Sequence, residues 1–328
     1  RSPLWWRRLP QKLYVLLSTH KRSSEWFARS ALGISPPLKA NESLLIMGGN
    51  HRLHLIDLRE DRVYSILKAG FPRSFMTREL AVRRKPSPLP SPAVMASGPT
   101  EEWFSEEYVS GTPLNRVVSR SRAQEAFGEI SRKLHEWLLT TREETDILTY
   151  AESLVVSAQR YISGNRLMRT DEKDASGKRV EEILNLLDKA EYRQMKTLST
   201  AQTHGDFQPA NILVNDGQVW MIDFEYTNRR QILYDGLVFV LGSRFPKGLS
   251  QRVGKVLYED EGPDFDRLKA WPHNPWQNRD WRRMSLLLFI LEEICLRLEV
   301  NANPLFRRPD VGFFEFWKEV EPALRVIS

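Results

Sequence analysis

One segment of this 328-residue chain, running from His204 to Glu225, constrains its fold more than any other. It opens with a polar string, His204-Gly205-Asp206-Phe207-Gln208-Pro209-Ala210-Asn211. Short apolar runs follow at 212–214 and 219–223, separated by Asp216-Gly217, the dipeptide of a tight hairpin turn. Asp223 ends the second run, ahead of Phe224-Glu225. A loop aspartate, a loop asparagine and a strand-end aspartate on such a frame can converge on one point.

The flanking pattern splits the chain in two. From 43 to 110 the spacing predicts strands at 44–47, 51–58, 62–68, 94–97 and 103–109, with one helix over 74–84. Pro86, Pro88, Pro90 and Pro92 end that helix and predict a stiff, extended connection. Beyond Gly111 the period becomes helical. Helices are expected over 124–140, 146–162 and 179–198, a flexible loop over 168–178, and mainly helix from the motif to 328. The predicted organisation is a basic aromatic extension (1–42), a small antiparallel sheet with one helix (43–110) and a larger, mainly helical part (111–328).

Charge separates these parts further. Residues 1–29 hold seven basic residues against Glu25 alone, which accounts for the whole net charge of +6 and leaves the remainder neutral. A neutral body offers no phosphate track, so no nucleic-acid partner is expected. Trp5, Trp6, Arg7 and Arg8 suit a membrane interface, and peripheral membrane contact through 1–29 is one expectation; an arm packed on the body is the other. No apolar run reaches a membrane-spanning length and no secretory signal pattern is visible, so the expected location is cytoplasmic, with the inner face of a membrane as the possible contact. Cys295 is the single cysteine; it excludes an intramolecular disulfide and sits in an apolar helical run as a structural thiol. The six histidines lack metal-ligand spacing.

Moving a γ-phosphoryl group to an alcohol demands a carboxylate to take the hydroxyl proton and oxygen ligands to hold magnesium on the nucleotide. Asp206, Asn211 and Asp223 supply that set. The His-Gly-Asp-x-x-x-x-Asn-Ile-Leu string with Ile222-Asp223-Phe224-Glu225 resembles the aminoglycoside phosphotransferase and choline kinase superfamily of protein-kinase-like small-molecule kinases. Ile222 to Tyr226 is similar to the choline and ethanolamine kinases, whereas Gly205 is closer to the antibiotic kinases. The resemblance implies an α+β, bilobal protein-kinase-like fold, with a small antiparallel β N-lobe and a larger helical C-lobe, and an enzyme that uses ATP and Mg2+. It implies Asp206 as catalytic base, Asn211 and Asp223 as magnesium ligands, and Asp235 as support for the catalytic loop, with His204 shaping that loop. Gly48, Gly49 and Asn50 become the phosphate-covering turn, Lys68 the cation on the phosphates, Glu79 the residue orienting it, and Glu107-Tyr108-Val109 the adenine hinge.

The acceptor lies outside these motifs. Trp271, Trp276 and Trp281, among His273, Asn274, Asn278 and Asp280, are candidates for stacking a sugar or caging a quaternary amine, or simply for helix packing. With Glu225 they form the candidate substrate set. A dense acidic cluster suited to a polycation is missing. A sugar or glycolipid hydroxyl is therefore the preferred acceptor, with a choline, ethanolamine or aminoglycoside kinase as the alternative and a nucleotide-binding pseudokinase scaffold as the third. No Ala-Pro-Glu segment follows Asp223, which disfavours a protein acceptor.

Overall fold

The computed structural model describes residues 44–49, 51–189, 195–258, 278–303 and 311–328. Asn50, Trp271, Trp276 and the extension at 1–42 lie outside the described residues. Five strands, β1 (Leu44–Gly48), β2 (Arg52–Asp57), β3 (Arg62–Leu67), β4 (Val94–Ser97) and β5 (Trp103–Glu107), form one sheet in the order β1-β2-β3-β5-β4. Helix α1 (Ser74–Arg83) packs on it: Met76 and Leu80, one turn apart, meet Phe104 of β5, with Leu67 and Val94 around them. The α+β character and the small antiparallel sheet with one helix are as expected.

A second sheet, β10-β9-β6, holds the hairpin of β9 (Ile212–Asn215) and β10 (Gln218–Met221), edged by the short β6 (Thr112–Pro113). Its turn residues Asp216 and Gly217 both have positive φ, 47° and 81°, as a two-residue hairpin of this twist requires. The proline run is tied to this hairpin, since the Met221 N–H donates to the Pro90 carbonyl at 2.8 Å.

The helical part comprises α2 (Arg120–Thr140), α3 (Ile147–Gly164), α4 (Thr170–Leu187), α5 (Tyr234–Leu241), α6 (Leu249–Tyr258), α7 (Arg279–Asn301) and α8 (Val311–Ile327). Ile130, Leu134 and Leu138 of α2, and Val180, Ile183 and Leu187 of α4, recur at helical spacing and are buried in one continuous core. Side-chain caps start three of these helices: Ser119 for α2, Asp146 for α3 and Asn278 for α7. Helix α7 is buried on nearly every face from Met284 to Leu298, which explains its unbroken apolar run from Leu286 to Leu291. Cys295 lies half-buried there; burial pushes its thiol up to about 12, so it is unreactive, as the sequence implied. Residues from Leu45 onward form one compact unit.

Two expectations fail. The loop predicted over 168–178 is the first half of α4. Its polar face is exposed, Ser176 extends the buried stripe backward from Val180, and Glu172 accepts from the Arg169 N–H at 2.8 Å to secure the first turn. Gly177 has open space around it and causes no break. The helix predicted to reach 198 ends at Leu187, and β8 (Thr197–Thr203) begins instead. It is the middle strand of a third sheet, β11-β8-β7, with β7 (Glu143–Asp146) and β11 (Asn228–Gln231). These strands read as polar and escaped detection. Several of their buried polar groups find partners within the fold: Thr203 Oγ1 donates to the Asn228 carbonyl at 2.8 Å, and the Gln231 backbone N–H and Nε2 donate to Glu292 of α7.

Burial pushes the Glu292 carboxyl up to about 7, from an ordinary 4.5, although Tyr150 and Gln231 donate to it. The folded chain thus holds a proton that the unfolded chain has released. Stability from this group is complete below about 4.5 and is lost as the pH rises through about 7. Glu292→Gln is expected to flatten the decline of the unfolding temperature between about pH 5 and about pH 8; the same slope in both proteins would mean that Glu292 is ionised throughout.

Candidate active site

The polar loop is hung from below by one carboxylate. Asp235, fully buried at the start of α5, accepts the His204 N–H through Oδ2 at 2.7 Å and the Gly205 N–H through Oδ1 at 2.9 Å. Burial pushes the Asp235 carboxyl up, and these two N–H bonds oppose that. The His204 ring shapes the loop from within. Its Nδ1 lies 3.2 Å from the Asp206 N–H and its Nε2 lies 3.1 Å from the Ile222 carbonyl, which assigns the neutral tautomer with hydrogen on Nε2. Phe224 packs edge-on against the ring.

Gly205 is required by this arrangement. Its φ is +87°, and a Cβ there would stand 2.1 Å from the Tyr226 carbonyl oxygen. Alanine does not fit there without moving backbone.

Asp206 is 5 % exposed. Its Oδ2 accepts from Asn211 Nδ2 at 2.7 Å and from Gln208 Nε2 at 2.8 Å, while Oδ1 accepts from Arg244 Nε at 2.5 Å. Asn211 Nδ2 also donates to the Asp206 carbonyl at 3.0 Å. Both amide hydrogens of Asn211 are therefore committed to Asp206, and its Oδ1 remains the acceptor atom of that amide. Asn211 also receives the Ile222 N–H on its carbonyl at 3.0 Å, which places Asp223 directly beside this cluster. Asp223 sits at φ 67°, a left-handed turn that carries its carboxylate out of the strand to Arg52 Nη2 at 2.7 Å. The Glu225 carboxyl, pushed up to about 8 by burial and by the Asp223 charge, completes the group.

Three members of this site carried no motif. Gln208 lies within the string but has no fixed spacing of its own. Arg244 arrives from the end of α5 and is held by Glu293 of α7 at 2.8 Å and by the Gly205 carbonyl. Burial alone would raise the Glu293 carboxyl, but Arg244 and Arg297 outweigh it and hold it at about 2. Arg52 comes from β2 and is 3 % exposed. Its Nη1 lies 2.5 Å from Glu79 Oε2, and Arg83 Nη1 lies 3.1 Å from Glu79 Oε1. The partner expected for Glu79 was Lys68. Lys68 instead donates to the Gly49 carbonyl at 2.6 Å; it stands one residue past Leu67, beyond the end of β3.

The other expected positions are distributed as follows. Gly48 and Gly49 lie at the β1–β2 turn, where the Gly49 N–H donates to the Arg52 carbonyl at 2.9 Å. In the hinge segment, the Glu107 and Tyr108 N–H groups donate to Ala93 and Asp61 carbonyls. Trp281 is half-buried against the helical core on the first turn of α7, a packing role.

Sequence comparison matches residues 72–271 to the phosphotransferase enzyme family that includes the aminoglycoside phosphotransferases. The chain belongs to this family. It is an ATP-dependent phosphotransferase whose acceptor is an alcohol group of a small molecule. No curated protein is similar enough in sequence to match. Among solved structures, a choline/ethanolamine kinase family protein from Mesorhizobium loti is similar at 17% identity and TM-score 0.50, over 97% of this chain and 95% of that one. An ethanolamine kinase from Plasmodium vivax matches at 12% identity and TM-score 0.55, covering 88% and 86%. Aminoglycoside phosphotransferase APH(4)-Ia, solved with ADP and hygromycin B, matches at 12% identity and TM-score 0.53, covering 87% and 93%. At these identities the likeness establishes the bilobal kinase-like fold.

Gly205→Ala is expected to lower stability by at least about 2 kcal/mol in denaturant unfolding, because strain and clash combine there. Gly217→Ala, with φ +81° but nothing nearby, isolates the strain alone at about 1 kcal/mol. Equal losses at the two glycines would remove the clash from the account.

Proposed function

We propose that this phosphotransferase moves the γ-phosphoryl group of ATP to the hydroxyl of a sugar or sugar-bearing lipid intermediate, with Asp206 as the base. The observation that carries the reading is the clamp on Asp206. Oδ2 is filled by two donors and Oδ1 by one, so the remaining lone pair of Oδ1 is the position for an acceptor hydroxyl. In the step, the hydroxyl proton passes to Asp206, the acceptor oxygen bonds the γ-phosphorus, and the bond to the β–γ bridging oxygen breaks to release ADP. Val109 supplies the hinge N–H for the purine, since the N–H groups of its two predecessors are taken by the Ala93 and Asp61 carbonyls. Gly48, Gly49 and Asn50 cover the phosphates.

The residues present fit a magnesium ion. Asn211 Oδ1 and the partly exposed Asp223 carboxylate are two hard oxygen donors, and magnesium takes few protein ligands, filling its shell with phosphate oxygens and water. The ion would neutralise charge on the transferring phosphate.

Electrostatics supports a neutral acceptor. Glu79 and Glu293 are each already met by two arginines. Among the described residues, a polycation would find little unspent carboxylate beside Asp206. The second reading, an amino-alcohol kinase, rests on the string Ile222 to Tyr226. There the Tyr226 ring could meet a quaternary amine, although the Arg244 guanidinium already lies 5.9 Å from its centroid.

Asp206→Asn is expected to cut acceptor-stimulated ADP release by about 100- to 10,000-fold while ATP still binds. Sugars, glycolipids, choline, ethanolamine and aminoglycosides form the panel. Unchanged turnover in the variant would remove Asp206 as base, and turnover confined to amino alcohols would replace the sugar reading. No described helix is long and apolar enough to cross a membrane. Seven basic residues among 1–29, with paired tryptophans, support peripheral binding to anionic lipid at the cytoplasmic face. Sedimentation with anionic vesicles should be lost on deleting 1–29; failure of the full chain to sediment at low salt would exclude it.

A further inference from the structure

The sheet positions its cations by parity, and that parity separates Lys68 from Arg52. In an antiparallel pair, directly opposed residues share a face. Arg52 opposes Leu67, His54 opposes Ser65, and Ser65 opposes Phe104. Leu67 and Phe104 pack with Met76 and Leu80, so this is the face toward α1. A cation from β3 aimed at Glu79 would have to stand at 65 or 67. Those positions are serine and leucine. Lys68 is one step out of phase, and its ammonium reaches the β1–β2 turn, 2.6 Å from the Gly49 carbonyl.

We propose that Arg52, delivered from β2, is the cation that grips the nucleotide phosphates in this chain, in the place where the sequence pointed to Lys68 from β3. The inference rests on the phosphotransfer reading above. Arg52 stands directly across from Leu67 and fills the space that a lysine at 67 would have used. Its guanidinium joins α1 to the candidate metal side of the site, through Glu79 at 2.5 Å and Asp223 at 2.7 Å. The fork is not exhausted by these contacts. A guanidinium carries five N–H donors, and one on each Nη is spent. The buried Nε has no hydrogen-bond partner; its nearest carboxylate, Glu225 Oε2, is 3.7 Å away. A buried donor left open is costly, and a phosphate oxygen reaching the Glu225 edge of the fork would satisfy it. A lysine offers a point charge and cannot hold Glu79, Asp223 and a phosphate oxygen at fixed angles together. The arrangement also ties the glycine turn to Asp223, since Arg52 receives the Gly49 N–H on its own carbonyl.

The test compares the unsubstituted chain with Arg52→Gln, Lys68→Gln and Arg52→Gln/Leu67→Lys. ATP affinity is measured by calorimetry, turnover by ADP release, and fold by thermal unfolding. Arg52→Gln is expected to weaken ATP binding by about 30-fold or more, and Lys68→Gln by less than about 5-fold. Leu67→Lys in the Arg52→Gln background should recover about 5-fold or more of the lost affinity, which a merely structural Arg52 would not allow. Loss in Lys68→Gln equal to or above that in Arg52→Gln overturns the proposal, as does wild-type affinity in a folded Arg52→Gln. Should Arg52→Gln not fold, Arg52→Lys against Lys68→Gln decides it: the proposal requires the larger loss in Arg52→Lys, because the fork is gone, and fails if Lys68→Gln loses more. A wild-type chain that binds no ATP overturns both readings. ATP binding without acceptor-stimulated turnover defeats only the phosphotransfer reading, and the ranking of the two cations still decides this one.

Discussion

The buried carboxylate of Asp235 is the contact on which the rest of the site depends. A polar loop cannot run through a protein interior with open N–H groups, because each unpaired group costs free energy comparable to a lost hydrogen bond. Asp235 closes two of them at once, at His204 and Gly205. That allows the loop to leave β8, turn at a positive φ, and present Asp206 at the floor of the site. The strands that carry it are polar for the same reason. Thr203, Arg230 and Gln231 are buried, and Thr203 Oγ1, Arg230 Nη1 and Gln231 Nε2 donate within the third sheet and to Glu292.

From that floor the site is organised by two charge relays of the same form. On one side Glu293 holds Arg244, which holds Asp206; on the other Glu79 holds Arg52, which holds Asp223. Each buried glutamate is shared with a second arginine, Arg297 or Arg83. Burying such groups confers little net stability, since desolvation offsets much of the attraction. Their effect is geometric. A guanidinium bonded at two ends fixes the carboxylate between turnovers, and positioning supplies much of the catalysis in phosphoryl transfer. The relays start on different elements, α7 and α1, so the two aspartates are held independently.

Much of this was legible in the order of residues. The loop string, the Asp-Gly hairpin and the strand-end aspartate are local, and local turn chemistry and spacing dictate them. The core helices were equally plain, because Ile130, Leu134 and Leu138 recur at one face. Sheet β11-β8-β7 was not legible. A strand such as Thr197–Thr203 has no apolar alternation, and its burial is possible only because Glu143, Asn228 and Thr227 meet its polar groups from distant sequence.

Lys68 marks the boundary between the two kinds of information. It is the basic residue at the end of the third strand, and spacing alone selects it. Alternation within a strand sets a face only once it is known which face meets α1, and that is a property of packing. Arg52 and Arg244 have no motif because their partners lie 27 to 171 and 38 to 49 positions away in the chain. The sequence by itself determined the family, and it placed a loop aspartate, an asparagine and a strand-end aspartate at spacings that local backbone geometry enforces. The tertiary structure decided which cations and carboxylates those groups meet, because a buried charge takes its partner from whatever the fold brings within hydrogen-bonding distance.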